Sequence, residues 1–337
     1  MEIDRTIPIG FIGTGVMGAS MARHILEAGH PLHVFTRTKE KAAALIKAGA
    51  VWEKSVAHLA TKCPVILTML GFPTDVKDVY LGKQGLLKKA KPGSYLIDMS
   101  TSPLDLARNL HEQGQKRGLH LLDAPVTGGD IGAREAKLSI MVGGDEADFN
   151  TVLPLLRLMG TTVVHQGEAG AGQSAKMCNQ IALAGAMLGV CEALAYAEAA
   201  GLSEEKLLAS IEHGGAASWA LSNLGRRIIE SDFAPGFHIK HFVKDLNIAS
   251  DEAENYDLLL PATDLALSLY EDMDDNGYGD LGTQALYGFY AGDIGEDDGR
   301  LFGEDEYDED DDPLPLLDME ARADDADDDE FDDPRKR

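Results

Sequence analysis

The chain has 337 residues, a length typical of two domains that each bury a core. It carries 57 acidic side chains against 30 basic ones, and residues 293–337 alone hold 22 acidic and 5 basic side chains. The rest of the chain is mildly acidic. This argues against a nucleic-acid-binding surface, because such a surface needs a basic stripe.

The first residues lack a basic segment followed by an apolar one, so no signal peptide is expected. Residues 181–201 are apolar, but two glutamates interrupt them, which favours a buried helix over a membrane span. Three cysteines occur without metal-ligand spacing: Cys63, Cys178 and Cys191. They predict reduced thiols in the cytoplasm and no metal site.

Short β-type segments alternate with helical patterns in the first half of the chain. The predicted strands are 9–13, 32–35, 64–70, 95–99, 120–126, 138–144 and 161–166. Strands separated by helices of this length form βαβ units, so we expect a parallel sheet covered by helices on both faces. The sequence therefore predicts an α/β Rossmann dinucleotide-binding domain over residues 1–167.

The strand pattern stops near Gly167, and helical patterns replace it. The apolar segment 170–200 predicts a long interdomain helix that enters an all-α domain, with its start facing the first domain. We place this substrate and oligomerisation domain at 168–292. Residues 293–337 are too charged to offset the entropy of ordering, so they are predicted to be a disordered acidic tail. The tail could recruit a basic partner or only aid solubility.

A glycine-rich segment follows the first predicted strand and opens a helix. Its residues are Gly13, Thr14, Gly15, Val16, Met17 and Gly18, a G-x-G-x-x-G pattern. In this context the glycines permit a tight turn, close approach of a pyrophosphate, and close packing of helix on strand. The helix N-terminus adds unpaired N–H groups that favour an anion. The pattern predicts dinucleotide binding, and the alternative is a plain turn between strand and helix.

The end of the second predicted strand indicates which dinucleotide binds. A site that prefers NAD usually carries a carboxylate there for the ribose 2′-hydroxyl, but this chain has Thr36, Arg37 and Thr38. A guanidinium flanked by hydroxyls suits a 2′-phosphate, because its fork matches phosphate oxygens. We therefore expect NADP(H) to be preferred over NAD(H). The alternative is that Arg37 is a surface charge and the site accepts both.

The long apolar helix carries two polar residues near its start. Lys176 and Asn179 share a helix face with Gly172, since residues three and four apart are neighbours. A lysine partly desolvated beside a nicotinamide has a lowered pKa, so it can pass a proton near neutral pH and stabilise negative charge on oxygen. Asn179 could hold the substrate hydroxyl or the lysine. The helix alone is equally compatible with a lysine that extends to water.

Five motifs occur in an order that resembles the β-hydroxyacid dehydrogenases, which include 3-hydroxyisobutyrate dehydrogenase and tartronate semialdehyde (2-hydroxy-3-oxopropionate) reductase. They are GFIGTGVMGASMA, IDMSTSP, LDAPVTGG followed by LSIMVGG, GAGQSAKMCNQ and KDLNIA, and the resemblance covers residues 7 to 290. It implies an oxidoreductase that transfers a hydride between NAD(P)(H) and a short 3-hydroxy acid or its semialdehyde. It also implies a homodimer or homotetramer.

The resemblance also implies roles for individual residues. Lys176 would be the catalytic acid/base, and Asn179 would bind the substrate. Thr127, Gly128 and Gly129 would bind the carboxylate of a small substrate, with Thr127 standing where most relatives have Ser. Further cofactor contacts are implied at Met69, Leu70, Thr101 and Lys244.

Several features leave the substrate open. Residues 69–73 read Met-Leu-Gly-Phe-Pro where the family often has Met-Leu-Pro, so this loop can differ beside the cofactor. His238 and His241 precede the K-D-L motif closely, and one of them could contact the substrate. Trp219 is expected to pack in the core rather than face the cleft. An imine reductase, which generally lacks the catalytic lysine, and a non-catalytic cofactor-binding module are the alternative functions.

Overall fold

The computed structural model describes residues 3–291, so the predicted acidic tail at 293–337 lies outside the described residues. Within them, nine strands form one sheet. The strands are β1 (Ile9–Ile12), β2 (Leu32–Phe35), β3 (Val51–Trp52), β4 (Val65–Thr68), β5 (Tyr95–Asp98), β6 (His120–Asp123), β7 (Val126–Thr127), β8 (Leu138–Gly143) and β9 (Gly160–Gly167).

The strand order is β3-β2-β1-β4-β5-β6-β8-β7, and β9 lies beside β8. Strand β1 pairs in parallel with both β2 and β4. The chain extends the sheet first to one side of β1 and then to the other, and this reversal leaves a crevice at the carboxyl ends of the strands. All residues of β1, β4 and β5 are buried, as expected for strands covered on both faces. The predicted Rossmann architecture is confirmed.

Fourteen α-helices surround and follow the sheet in the described part of the chain. They are α1 (Val16–Glu27), α2 (Ala43–Lys47), α3 (Val56–Lys62), α4 (Pro73–Leu81), α5 (Leu86–Lys89), α6 (Leu104–Gln115), α7 (Gly129–Arg134), α8 (Glu146–Leu156), α9 (Ala171–Ala199), α10 (Glu204–Ile211), α11 (Gly225–Ile229), α12 (Ile239–Glu254), α13 (Pro261–Met273) and α14 (Tyr287–Ala291). The helices after β9 share a separate hydrophobic core. The predicted helical second region is therefore confirmed.

Helix α9 is 29 residues long and joins the two regions. By length and composition it could cross a membrane, but 44% of its most apolar window is buried within the protein. It contacts β8 of the sheet as well as α12 and α13, and most of its buried apolar residues belong to the core of the helical region. We conclude that α9 is the central core helix, as the sequence predicts.

The structure corrects three details of the sequence-based assignment. The predicted strand 120–126 is interrupted, because β6 ends at Asp123 and the short β7 begins at Val126. Strand β8 runs antiparallel to β6 and β7, so the sheet is mixed at this end rather than wholly parallel. The two-residue strand β3 was not predicted, since it is too short to show a periodic pattern.

Candidate active site at the end of the parallel strands

The glycine-rich segment forms the turn between β1 and α1. Gly13 has a φ of +97°, and a side chain there would collide with the carbonyl of Met69. Around Gly15 there is open space, with nothing within 4 Å of where a Cβ would stand. Helix α1 begins at Val16 without a side-chain cap, so its first N–H groups point into that space.

The surrounding residues fit a dinucleotide. Thr14 is buried, and its hydroxyl oxygen has no hydrogen-bond partner among residues 3–291. Val16 is 58% exposed at the mouth, and Met17 packs partly against the core. Gly18 lies so close to the Gly13 carbonyl that a larger residue would push α1 away. The turn at Gly13–Gly18 therefore offers open space, free N–H groups and an unpaired hydroxyl, which together suit a pyrophosphate.

Arg37 lies directly after β2, where the sequence predicts contact with a 2′-phosphate. Its side chain is 82% exposed and forms an ion pair with Asp75, with 2.8 Å between Nη1 and Oδ1. Asp75 belongs to the first turn of α4, so a carboxylate does reach this position, although none follows β2 in the sequence. Thr36 is half-buried and Thr38 is exposed beside the arginine.

Lys176 lies in the second turn of α9 and is only 6% exposed. In the described part of the chain its Nζ makes no hydrogen bond, and it lies 5.9 Å from the centroid of the Phe237 ring. Burial lowers the pKa of Lys176 to about 8, with the charge of Asp245 opposing this effect and that of Lys244 adding to it. The lysine is therefore a buried amine that changes protonation near neutral pH and does not extend to water.

Two successive hydrogen bonds connect Asn179 to Asp245, which lies in the second turn of α12. The Asn179 side-chain amide donates to Gln180 Oε1 at 2.7 Å, and Gln180 Nε2 donates to Asp245 Oδ2 at 2.6 Å. Lys244 Nζ lies 2.8 Å from the other oxygen of Asp245 as an ion pair. Because the Asn179 NH₂ group is engaged, its carbonyl oxygen is oriented away from Gln180 and can accept a hydrogen bond.

Lys244 links this chain to the predicted cofactor loop. Its Nζ donates to the Thr101 carbonyl at 3.1 Å. In the same loop, the Ser100 hydroxyl accepts from the Leu70 N–H at 2.9 Å. Met69 in turn lies against Gly13 in the glycine-rich turn. Contacts therefore connect the glycine-rich turn, through Met69, Leu70 and Thr101, to Lys244, whose charge acts on Lys176.

The predicted carboxylate loop lies at β7 and the start of α7. Thr127 pairs with Ser139 of β8, and Gly128 and Gly129 adopt φ values of 123° and 64°. A Cβ on Gly129 would lie 4.0 Å from the ring of Trp219, which is 49% exposed. The expectation that Trp219 packs in the core is therefore wrong, because half of the side chain is exposed and the edge of its ring lies near Gly129.

The altered loop at 69–73 contacts the second region directly. The Phe72 ring packs against His241 at a tilt of 50°, with ring centroids 4.9 Å apart, and a side chain on Gly71 would come within 3.2 Å of the same ring. Burial lowers the pKa of His241 to about 4, and the nearby charge of Lys244 adds to this. His241 is thus a neutral side chain that packs against the loop, and His238 lies edge-on to it at 5.6 Å.

Several side chains at the site were not singled out from the sequence: Asp75, Phe237, Gln180 and Asp245. Asp245 follows Lys244 in the K-D-L motif, which was a usable signal. Gln180 ends the GAGQSAKMCNQ motif and was a usable signal too, whereas Asp75 and Phe237 come from distant segments and carry no local pattern. The three cysteines are not joined by disulfides, and no cluster of metal-ligating side chains occurs in residues 3–291.

Comparison with known proteins accounts for most of the chain. Residues 8–167 match the family described as the NAD binding domain of 6-phosphogluconate dehydrogenase. Residues 170–290 match the family described as NAD-binding of NADP-dependent 3-hydroxyisobutyrate dehydrogenase. The two matches meet where β9 ends and α9 begins.

Individual relatives are similar over nearly their whole length. The chain is 50% identical over 279 residues to YkwC of Bacillus subtilis (strain 168), an uncharacterized oxidoreductase, covering 83% of this chain and 97% of that protein. It is 39% identical over 279 residues to 2-hydroxy-3-oxopropionate reductase of Escherichia coli (strain K12), covering 82% and 95%. The structure of 3-hydroxyisobutyrate dehydrogenase from Mycobacterium tuberculosis with L-serine matches with a TM-score of 0.76 and 32% identity, covering 84% and 98%. The chain therefore belongs to the β-hydroxyacid dehydrogenase family.

Proposed function

We propose that this NAD(P)-dependent hydroxyacid dehydrogenase prefers NADPH and interconverts a short 3-hydroxy acid with its semialdehyde, with Lys176 as the general acid/base. The observation that carries the proposal is the state of Lys176. It is a buried amine with a pKa of about 8, and it is flanked by Asp245 and Lys244 next to the predicted cofactor loop. A non-catalytic cofactor-binding module has no need for such a group.

The chemistry assigns one proton transfer to the protein. In reduction, the Lys176 ammonium gives its proton to the carbonyl oxygen as that oxygen gains negative charge. In oxidation, the neutral amine takes the proton of the substrate hydroxyl. A bound nicotinamide supplies or accepts the hydride. The second N–H of the Asn179 amide donates a hydrogen bond to the reacting oxygen, which keeps that oxygen near Nζ and leaves the hydroxyl proton free for transfer.

The substrate carboxylate is assigned to the loop of Thr127, Gly128 and Gly129. This loop offers backbone N–H groups and a hydroxyl, which are suitable donors for a carboxylate. Helix α7 begins at Gly129, but it is a short helix and the loop residues are the main donors. Such a site selects a small acid and leaves the identity of its side group to neighbouring residues such as Trp219.

The preference for NADPH rests on Arg37. Its ion pair with Asp75 is exposed, and such pairs are weak, so a 2′-phosphate with two or three oxygens can displace the carboxylate. Thr36 and Thr38 add hydroxyl donors beside it. The competing carboxylate of Asp75 is expected to make the preference moderate rather than absolute.

The assignment of larger units follows the same reasoning. We assign residues 1–167 to cofactor binding, 168–292 to substrate binding and oligomerisation, and 293–337 to an acidic tail. The chain is expected to act in the cytoplasm as a homodimer or homotetramer. A basic partner for the tail is an addition to this function and not an alternative to it.

A substrate panel tests the proposal. Initial rates of NADPH and NADH oxidation would be measured with tartronate, methylmalonate and succinate semialdehydes and with glyoxylate. A cyclic imine serves as the control substrate for imine reduction. We expect turnover of at least one semialdehyde, no turnover of the imine, and a higher kcat/KM for NADPH. Tight NADPH binding without turnover of any carbonyl compound would contradict the proposed reaction.

A further inference from the structure

We infer that Gln173 is a positioning residue, which holds the cofactor loop at 100–102 in register with Lys176. The inference rests on the proposed function. Gln173 lies three residues before Lys176 in α9, on the side of the helix that faces the sheet. Its side chain does not reach Nζ, so it acts on the reaction only through the loop.

The Gln173 side chain holds this loop with both ends of its amide. Its Oε1 accepts a hydrogen bond from the Ser102 N–H at 3.1 Å, and its Nε2 donates to the Ser100 carbonyl at 2.9 Å. These two backbone groups flank Thr101, the predicted cofactor contact. Gln173 is 1% exposed, so water does not readily replace either bond. Only a primary amide of this length offers one donor and one acceptor in this arrangement.

The backbone from which Gln173 projects is itself fixed. The buried carboxylate of Asp123 accepts from the Gly170 N–H at 2.7 Å and from the Gln173 N–H at 2.9 Å. Gly172 lies between these two donors, and a Cβ there would come within 2.6 Å of the Met141 carbonyl. The first turn of α9 therefore cannot slide or rotate against β6 and β8, and the position of the loop is determined relative to that turn.

The opposite side of the loop is held by α12. Lys244 donates to the Thr101 carbonyl, and Ser100 accepts from the Leu70 N–H. Consecutive residues of one short loop are thus bound by α9, by α12 and by the loop after β4. Without Gln173, the contacts from α12 and from the loop after β4 remain, but the link to the helix that carries Lys176 is lost. A displacement of this kind between reacting groups is enough to lower a rate considerably.

A positioning role of Gln173 can be distinguished from an effect of Gln173 on the pKa of Lys176. Gln173 is uncharged, and the charges that act on the pKa of Lys176 are those of Asp245 and Lys244. Replacing Gln173 with an apolar residue of similar size therefore leaves the protonation of Lys176 unchanged. The expected defect lies in the rate and in cofactor binding.

The test uses Gln173→Met in the full chain, with Gln115→Met as the matched control. Gln115 is an exposed glutamine on α6, away from the site. Amide hydrogen exchange would be measured on peptides that cover 100–102, without any cofactor. For Gln173→Met we expect faster exchange of the Ser102 amide, a fall in kcat of about tenfold or more, and weaker NADPH binding. The KM for the acid substrate and the kinetic pKa should stay at the wild-type values.

A folded Gln173→Met protein with wild-type exchange at 100–102, or with wild-type kcat per cofactor-binding site, would overturn the inference. If Gln173→Met fails to fold, Gln173→Asn replaces it, because it stays uncharged and its amide is too short to keep both bonds to the loop. That variant is expected to show a smaller fall in kcat, and an unchanged kcat would overturn the inference. If the wild type turns over no substrate, the proposed function fails, whereas hydrogen exchange and NADPH affinity still decide the role of Gln173.

Discussion

Asp245 acts on Lys176 through charge, and this effect can be measured separately from binding. Its carboxylate raises the pKa of Lys176 against the effects of burial and of Lys244. In Asp245→Asn those two effects act unopposed, so the pKa of Lys176 falls further below about 8. Carbonyl reduction needs the ammonium form, so its rate should begin to fall at a lower pH than in the wild type. The pH profile of kcat/KM measures this shift, and an unchanged or upward shift would contradict the arrangement.

The proposed cofactor preference can be tested at Arg37 and Asp75. In Asp75→Asn the Arg37 guanidinium loses its ion pair, and a negative charge is removed from the neighbourhood of the negatively charged 2′-phosphate. An exposed ion pair contributes roughly 0.2–1 kcal/mol, so the Kd for NADPH should fall by no more than about fivefold. Arg37→Ala should raise the Kd for NADPH. Both Kd values can be followed by nucleotide fluorescence, and an equal change in the Kd for NADH would show that the pair does not read the 2′ position.

At the scale of single elements, helix α9 contains glycines of two kinds. Gly172 faces Met141 and Asp123, and a Cβ there would lie 2.6 Å and 2.7 Å from their carbonyl oxygens. Gly185 and Gly189 have nothing within 4 Å of the corresponding position. Gly172→Ala should therefore destabilise the protein by about 1–3 kcal/mol, as overpacking does. Gly185→Ala should instead stabilise it by about 0.5–1 kcal/mol, because alanine favours a helix.

Thermal and denaturant unfolding of the two variants check this prediction side by side. The comparison holds the helix and the type of substitution constant, so the difference reports only the space around each glycine. Equal effects of the two substitutions would mean that α9 does not pack against β6 and β8 as closely as described.

An element could be predicted from the sequence when the residues that determine it lie close together in the chain. The turn from β1 to α1 was predicted correctly, because Gly13 and Gly18 act on neighbours within a few residues. The strand interruption after Asp123 and the antiparallel β8 depend on contacts across the sheet, and the sequence around them shows only an apolar run. Gln173 and Asp75 act on segments about 70 and 38 residues away, so no local pattern could have indicated their partners.

At the scale of the whole molecule, one buried acidic group makes stability depend on pH. Glu53 is 1% exposed and accepts hydrogen bonds from Lys62 at 2.8 Å, from His33 at 2.7 Å and from His58. Burial opposes its ionisation, but these three donors outweigh burial and lower the pKa of Glu53 to about 2. A carboxyl group with a lowered pKa stabilises the fold above its unfolded pKa, and that contribution disappears as pH falls towards the folded pKa.

Ionised Glu53 contributes on the order of 2–3 kcal/mol to the free energy of unfolding. This value is smaller than the full pKa shift would give, because the side chains of Lys62 and His58 are partly exposed to water. The contribution should be complete above pH 4.5 and decline between pH 4.5 and about 2. Glu53→Gln should therefore lower the free energy of unfolding at pH 6 by this amount and have less effect at pH 3. Urea unfolding at both pH values measures the difference, and an effect of Glu53→Gln that is equal at the two values would refute this assignment.

The proposed reaction depends on Lys176 at the scale of the whole enzyme, and its most direct test is the rate of Lys176→Met. Methionine has a similar length and suits a buried site, so folding and NADPH binding should be retained. The exposed Lys206→Met on α10 serves as the matched control. With a semialdehyde that the wild type reduces, kcat should fall by about a hundredfold or more in Lys176→Met, and it should stay at the wild-type value in Lys206→Met. A Lys176→Met enzyme with the kcat of the wild type would contradict the proposed role of the buried amine.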